Sequence, residues 1–218
     1  MNKLPKGIIF DMDGVLLDSE PFIIKAASQM FAEKGLIVQP SDFHPFTGTG
    51  EDRFIGGVAE KYNFPLDLAE AKKRTYDIYL ETIKGVLLPL NGVREFIQKC
   101  RKMNKKLAVA SSADWRKVKG NLEEIKIPVE TFDAVLAGND VKNKKPDPEI
   151  FLLAAKRLGL NPNHCLVIED ALSGIKAAKA AGCKCLAITS SFTPEQLKGA
   201  DFYARDLAEV PAEAVCWS

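Results

Sequence analysis

The sequence contains 218 residues, of which 46% are hydrophobic, and it carries a formal net charge of +1 from 30 basic and 29 acidic side chains. This length predicts one substantial core with a smaller second unit. The balanced charge argues against a nucleic-acid partner or an anionic membrane surface. No apolar run approaches the roughly 18 residues of a membrane span, and no apolar signal segment precedes the first predicted strand, so we expect a cytoplasmic protein. The five cysteines include no CxxC pair and are expected to be buried free thiols.

The first predicted element is a buried strand over residues 7–10. Asp11 and Asp13 follow it directly, and Gly14 permits a turn. A strand that ends in this way delivers both carboxylates to the carboxyl edge of a sheet, where open α/β folds bind ligands. Two carboxylates so close together repel each other unless a cation lies between them, and Mg²⁺ is the oxygen-seeking ion that suits them. A solvated turn is the alternative for this segment taken alone.

The next segment, residues 18–85, lacks strands. Amphipathic patterns predict helices near 21–34, 52–62 and 66–83, with a glycine-rich loop at 47–50. We therefore predict an all-helical cap domain, inserted after the first strand, that lies above the carboxyl edge of the sheet and closes over it as a lid. The alternative is a helical decoration unconnected with the site.

Strands and helices alternate in the rest of the chain. Strands are predicted at 107–110, 134–136, 165–168 and 185–188, and helices at 93–103, 115–125, 148–158 and 171–181. Short, nearly continuous apolar strands separated by amphipathic helices predict a parallel sheet covered on both faces. The expected fold is therefore a doubly wound, Rossmann-like α/β core, formed by residues 1–17 and 86–218, with the helical cap domain at 18–85.

Polar residues follow the later strands at the same edge of the predicted sheet. Ser111 and Ser112 follow the second strand, Lys145 precedes a helix, and Glu169 and Asp170 follow the fourth strand. Hydroxyls and an ammonium suit phosphate oxygens, and two further carboxylates can complete an oxygen shell around a metal. Each has a structural alternative: helix capping for the serines, a loop for the lysine, and a favourable acidic pair at a helix N-terminus. Their joint appearance at strand ends favours a phosphate site.

Four ordered motifs carry a family resemblance that covers nearly the whole chain. They read DMDGVLLDSE at 11–20, ASSA at 110–113, KPDPEIF at 145–151 and VIEDALSG at 167–174. In these motifs the chain resembles the haloacid dehalogenase superfamily, in particular its β-phosphoglucomutase-like branch with a helical cap. An acid at position 13 favours phosphate esters over halides, since a halide leaves without a proton.

The resemblance implies a Mg²⁺-dependent phosphatase that hydrolyses a small phosphate monoester, such as a sugar phosphate, through an aspartyl-phosphate. It implies that Asp11 is the nucleophile and that Asp13 is the acid and base. The implied phosphate-binding residues are Ser111, Ser112 and Lys145. The implied metal ligands are Asp11, Asp13 through its backbone carbonyl, Asp170, and Glu169 either directly or through water.

The cap loop is expected to contact the leaving group. Its candidate residues are Thr47, Gly48, Thr49, Gly50, Glu51 and Arg53. A phosphosugar mutase is the first alternative function, and in the resemblance the mutase's cap histidine corresponds to Ile23 and its phosphate-binding arginine to Glu51. Both replacements favour hydrolysis. Ile23 lacks the imidazole of the mutase, and Glu51 would repel a second phosphate instead of binding it. The mutase stays open because four other cap cations could reach the site: Arg53, Lys72, Lys73 and Arg74.

We expect a monomer whose partner is a small phosphorylated metabolite and which binds neither nucleic acid nor membranes. A second alternative is a regulatory or binding module that retains the fold without catalysis. The complete set of nucleophile, acid, lysine and metal carboxylates weighs against it.

Overall fold

A six-stranded parallel sheet forms the centre of the protein. The computed structural model describes residues 5–47, 50–190 and 192–216. The strands are β1 (Gly7–Phe10), β2 (Lys106–Ala110), β3 (Ala134–Leu136), β4 (Cys165–Glu169), β5 (Lys184–Ile188) and β6 (Phe202–Ala204). They lie in the order β3-β2-β1-β4-β5-β6, and every pairing is parallel. The helices are α1 (Glu20–Glu33), α2 (Glu51–Lys61), α3 (Leu68–Thr82), α4 (Val93–Lys102), α5 (Trp115–Glu124), α6 (Glu149–Arg157), α7 (Leu172–Ala180) and α8 (Ala212–Val215).

Both faces of the sheet are covered, which explains why its strands are apolar almost throughout. Successive strand residues point to opposite faces, so Ile8 and Phe10 belong to one buried cluster and Ile9 to the other. The first cluster also contains residues of α4 and α5, and the second contains residues of α6 and α7. The predicted doubly wound α/β fold is confirmed.

Helices α1, α2 and α3 lie between β1 and β2, and the described residues of this insertion include no strand. α1 packs on α3, and the rings of Phe43 and Phe54 stack with their centroids 4.8 Å apart. The insertion is attached to α5 of the core, because the Tyr79 hydroxyl donates to Asn121 Oδ1 at 2.6 Å. The fold therefore has the helical cap that we predicted, while the boundaries 18–85 stay a prediction.

Some local features differ from the sequence-based expectations. β6 and α8 were not predicted, because both are short. Four cysteines are buried free thiols as expected, but Cys216 is exposed.

Across residues 5–47, 50–190 and 192–216, no helix has both the length and the apolar character needed to cross a membrane. The cytoplasmic location stays a prediction.

The strand order places one strand end at the centre of the fold. β1 pairs with β2 on one side and with β4 on the other. The chain therefore changes direction across the sheet at β1, and such a switch point leaves a crevice beyond the carboxyl ends of the strands. Asp11 is the first residue beyond β1, and its amide donates to Ile168 O at 2.9 Å.

Candidate active site

A buried lysine connects three strand ends at this crevice. Lys145 Nζ lies 2.5 Å from Asp11 Oδ1 and 2.6 Å from Glu169 Oε1. It also donates to the backbone carbonyl of Ala110 at 3.1 Å. Burial lowers the pKa of Lys145, but the two carboxylates outweigh that effect and raise it above its ordinary value. The lysine therefore stays charged and offsets part of the acidic cluster.

Three carboxylates at the ends of β1 and β4 form a cluster that could hold a metal. Asp11, Glu169 and Asp170 each offer an oxygen, and these oxygens lie within 4.8 Å of one another. Burial is the main cause that raises the pKa of Asp11 to about 7, opposed by Lys145 and reinforced by Glu169. Burial and the neighbouring carboxylates also raise the pKa of Asp170. One lysine does not balance the charge of three carboxylates, and an oxygen-binding divalent cation fits such a set.

Two glycines allow the backbone to approach this cluster. Gly14 has a φ of +77°, and a Cβ there would lie 1.9 Å from Asp170 Oδ2. A Cβ on Gly174, in α7, would lie 1.8 Å from Glu169 Oε1. Glu169 Oε2 also accepts from the amides of Asp170 at 3.1 Å and Ala171 at 3.2 Å. The Glu169 carboxylate is thus fixed by the turn that begins α7.

The carboxylate of Asp13 is held at both oxygens. The Ser19 hydroxyl donates a close hydrogen bond to Oδ1, and Lys117 Nζ lies 3.3 Å from Oδ2. Lys117 also lies 3.5 Å from Glu51 Oε1, at the start of α2. Burial lowers the pKa of Lys117, whereas Asp13, Glu51 and Tyr79 together raise it above its ordinary value.

Lys117 was missed in the sequence. The sequence gives only a weak indication that Lys117 is buried. Lys117 and Asn121 are four residues apart on α5, and each precedes a buried apolar residue, Val118 or Leu122.

The two serines after β2 also lie at the crevice. Ser111 is buried, and its Oγ accepts from the amide of Ala113 at 3.1 Å. The first amide of α5, at Trp115, is instead capped by Asn139 Oδ1 at 2.8 Å. Neither Ser111 nor Ser112 therefore caps that amide. Both serines line a cavity beyond the strand ends.

A cavity of about 650 Å³ lies between the strand ends and the insertion. Thr47, Gly50 and Glu51 of the predicted cap loop line it, whereas Gly48 and Thr49 lie outside the described residues. Arg53 does not line the cavity; it pairs with Glu60 at 2.6 Å, and its guanidinium lies 5.0 Å from the centroid of the Phe46 ring. The reason is helical geometry, because two residues after Glu51 the side chain has turned by about 200°.

The lining of the cavity is strongly acidic. Among the described residues, seven carboxylates line it, together with two lysines, Lys117 and Lys145. The other cap cations proposed to reach the site pair elsewhere: Lys72 with Asp52 and Asp114, Lys73 with Asp77, and Arg74 with Glu33. Of the cap cations that kept a mutase open, none lines the cavity among the described residues.

Comparison with known proteins decides the family. The sequence pattern of the haloacid dehalogenase-like hydrolases matches residues 8–188. The chain belongs to this family. The resemblance stated from its motifs is therefore confirmed.

Individual relatives extend this result. The chain is similar to the SUPPRESSOR OF QUENCHING 1 protein of Arabidopsis thaliana, with 43% identity over 88% of this chain but only 19% of that larger protein. It is 35% identical to a phosphorylated carbohydrates phosphatase of Thermotoga maritima, over 81% of this chain and 82% of the relative. Among solved structures, CbbY from Rhodobacter sphaeroides in complex with phosphate superposes with a TM-score of 0.88 at 26% identity, covering 97% of this chain and 99% of that one.

These relatives confirm the predicted enzyme class. A haloacid dehalogenase-like hydrolase with phosphatase relatives over most of its length is a phosphoric monoester hydrolase. The acidic cluster could bind a metal ion.

Proposed function

We propose that this chain is a Mg²⁺-dependent phosphatase that hydrolyses a small sugar monophosphate, or a similar metabolite, through an aspartyl-phosphate. One observation carries the proposal: the Asp11 carboxylate lies at the switch point of the sheet, 2.5 Å from the Lys145 ammonium and within the acidic cluster. A carboxylate nucleophile beside a cation and a potential metal site suits phosphoryl transfer through a covalent intermediate.

The reaction has two balanced steps. In the first, an Asp11 carboxylate oxygen forms a bond to phosphorus as the ester P–O bond breaks, and Asp13 gives its proton to the leaving oxygen. In the second, a water oxygen bonds to phosphorus as the Asp11–phosphorus bond breaks, and Asp13 accepts the proton of that water. Ser111, Ser112 and Lys145 hold the transferring phosphate oxygens and offset their charge.

Four groups of this chain would hold the metal. They are the side chains of Asp11 and Asp170, the backbone carbonyl of Asp13 and, directly or through water, the side chain of Glu169. When bound there, Mg²⁺ neutralises charge so that an anionic carboxylate can approach an anionic phosphate. The donors are all oxygens, as Mg²⁺ prefers.

The acidic cavity supports a substrate with a single phosphate and a neutral leaving group. Next to Asp13, the charge of Lys117 is compensated by Glu51, so that part of the cavity offers no free cation to attract a second anionic group. A sugar phosphate meets this condition, and the Thermotoga maritima relative is named for phosphorylated carbohydrates. Nucleoside monophosphates meet it as well, whereas the carboxylate of phosphoglycolate does not.

The proposal is tested by phosphate release from a panel of monophosphates. The panel contains glucose 6-phosphate, fructose 1-phosphate, glycerol 3-phosphate, phosphoglycolate, adenosine monophosphate and p-nitrophenyl phosphate. We expect turnover with Mg²⁺, none in excess chelator, and higher kcat/KM for sugar phosphates than for phosphoglycolate. Absence of Mg²⁺-dependent turnover of every compound would refute the phosphatase and favour a binding module.

The metal ligands are tested through Asp170→Asn. This change keeps the size of the side chain but removes a charged ligand. The Mg²⁺ concentration for half-maximal activity should rise at least roughly tenfold, because even substitution of residues that only hydrogen-bond to metal ligands lowers metal affinity by that factor. The matched control is Asp18→Asn, which alters an exposed carboxylate of the same cavity outside the cluster. An equal Mg²⁺ dependence of wild type and Asp170→Asn would contradict the assignment.

A phosphosugar mutase remains the second candidate, because Lys117 supplies a cavity cation beside Glu51. We expect β-glucose 1-phosphate to yield inorganic phosphate and glucose, with no gain from added glucose 1,6-bisphosphate. The wild-type protein is the right one to test, since an arginine in place of the buried Glu51 would face Lys117. Formation of glucose 6-phosphate at a rate comparable to phosphate release would establish the mutase instead.

A further inference from the structure

One buried ammonium lies between the proposed acid and the helical cap. Lys117, on α5 of the core, is 4% exposed. Its Nζ lies 3.3 Å from Asp13 Oδ2, 3.5 Å from Glu51 Oε1 and 5.6 Å from the centroid of the Tyr79 ring. Asp13 follows β1, whereas Glu51 and Tyr79 belong to α2 and α3 of the cap. The Lys117 side chain therefore lies against the proposed acid, Asp13, and against two helices of the cap.

The surroundings of Lys117 fix its position. Asn121, one turn later on α5, accepts from the Tyr79 hydroxyl at 2.6 Å and donates to Met12 Sδ at 3.3 Å. Residues four apart share a face of a helix, so Lys117 and Asn121 together hold the cap against the core. A buried lysine loses much of its hydration, and the carboxylates of Asp13 and Glu51 offset that loss for Lys117.

The contacts of Asp13 show what Lys117 contributes. The Ser19 hydroxyl holds Oδ1, and Lys117 holds Oδ2. A carboxylate held at both oxygens cannot rotate about its last torsion, whereas one held at a single oxygen can. Proton transfer depends on this geometry, because a misplacement of about 1 Å can lower a rate about 100-fold.

We propose that Lys117 is a positioning residue, which orients the Asp13 carboxylate for proton transfer and ties that orientation to the placement of the cap through Glu51. This inference rests on the proposed function, since it takes Asp13 as the acid and base of the phosphatase. It adds a residue outside the four motifs and explains why the cap carries a glutamate at the start of α2.

The proposal predicts a kinetic pattern that a merely structural lysine would not produce. An alkyl ester needs a proton on its leaving oxygen, whereas p-nitrophenolate leaves without one. Misorientation of Asp13 should therefore slow the first step for alkyl esters only. It should slow the second step for every substrate, because water must always give up a proton.

The experiment compares wild type with Lys117→Met and with the double variant Lys117→Met/Glu51→Gln. The double variant removes the carboxylate that would otherwise be buried without its cation, so it guards against a failure to fold. Lys119→Met, which changes an exposed lysine on the same helix, is the control. The substrates are p-nitrophenyl phosphate and the alkyl monophosphate of the panel that wild type hydrolyses fastest.

For both Lys117 variants we expect kcat/KM for the alkyl ester to fall about tenfold or more. For p-nitrophenyl phosphate, kcat/KM should stay near the wild-type value, while kcat and KM fall together and a burst of p-nitrophenolate precedes the steady state. Equal losses of kcat/KM for both substrates would overturn the proposal. So would wild-type kinetics in the double variant, since Lys117 would then only neutralise Glu51. A wild-type protein without any phosphatase activity would instead refute the proposed function itself.

Discussion

Asp11→Asn should abolish turnover of every monophosphate, with a loss of at least about 10⁴-fold in kcat. The amide is nearly isosteric with the carboxylate but cannot attack phosphorus, so no aspartyl-phosphate forms. The fold should persist, because an amide oxygen can still accept from Lys145. In chelator, the thermal unfolding midpoint should be equal to or above that of wild type, since one charge leaves a cluster of three carboxylates, two of them on buried residues. Phosphate release and thermal unfolding measure the two effects.

The control for this variant is Asp52→Asn, the same change at an exposed side chain of the cap. It should retain wild-type turnover to within a few-fold. Asp11→Asn turnover above about a hundredth of the wild-type rate would contradict the nucleophile assignment, because a lost nucleophile costs far more than that. A lowered unfolding midpoint in chelator would show that the Asp11 charge stabilises the fold through Lys145 more than it repels the neighbouring carboxylates.

The edge of the sheet was predictable because each of its residues is marked locally. Asp11, Ser111 and Glu169 each lie at the end of a short apolar strand. In a parallel sheet with helices on both faces, such strand ends meet at one edge. Lys145 does not follow an apolar strand, and its place in the site was predicted from the order of the motifs alone.

The contacts between core and cap were not predictable from local pattern. Lys117 lies in a helix rich in charged residues, where a lysine is expected to face solvent. It is buried only because the cap packs on α5, and this contact joins residues far apart in the sequence. Glu51 was expected in the cap loop, but its burial beside Lys117 depends on the same packing.

Two smaller differences have similar causes. β6 has three residues and lies at the edge of the sheet, and only Ala204 of the three is buried. So short a segment shows no hydrophobic periodicity. Arg53 was expected at the site because of its closeness in sequence to Glu51, yet on a helix a separation of two residues places side chains on different faces.

Lys145→Met should have the second largest effect, and it should affect both stability and activity. The variant leaves Asp11 and Glu169 buried without the cation that lies within 2.6 Å of each. Removal of one partner from a buried ion pair costs about 3 kcal/mol or more of unfolding free energy. Saturating Mg²⁺ should restore part of this loss, because a divalent cation bound by the same carboxylates neutralises them and binds only the folded state. Urea denaturation in chelator and in Mg²⁺ measures the difference.

Activity should not recover with stability, because Lys145 also serves the transferring phosphate; at saturating Mg²⁺ we expect a loss of about 10²- to 10³-fold in kcat. The matched control is Lys144→Met, whose ammonium donates to the carbonyls of Gly138 at 2.7 Å and Ser112 at 3.3 Å and, within 5–47, 50–190 and 192–216, to no carboxylate. Its stability loss should therefore be the same with and without Mg²⁺. If Lys145→Met were as stable as wild type in chelator, the three carboxylates would not need the lysine for their charge balance. If Mg²⁺ stabilised Lys144→Met and Lys145→Met equally, the ion would not be replacing the charge of Lys145.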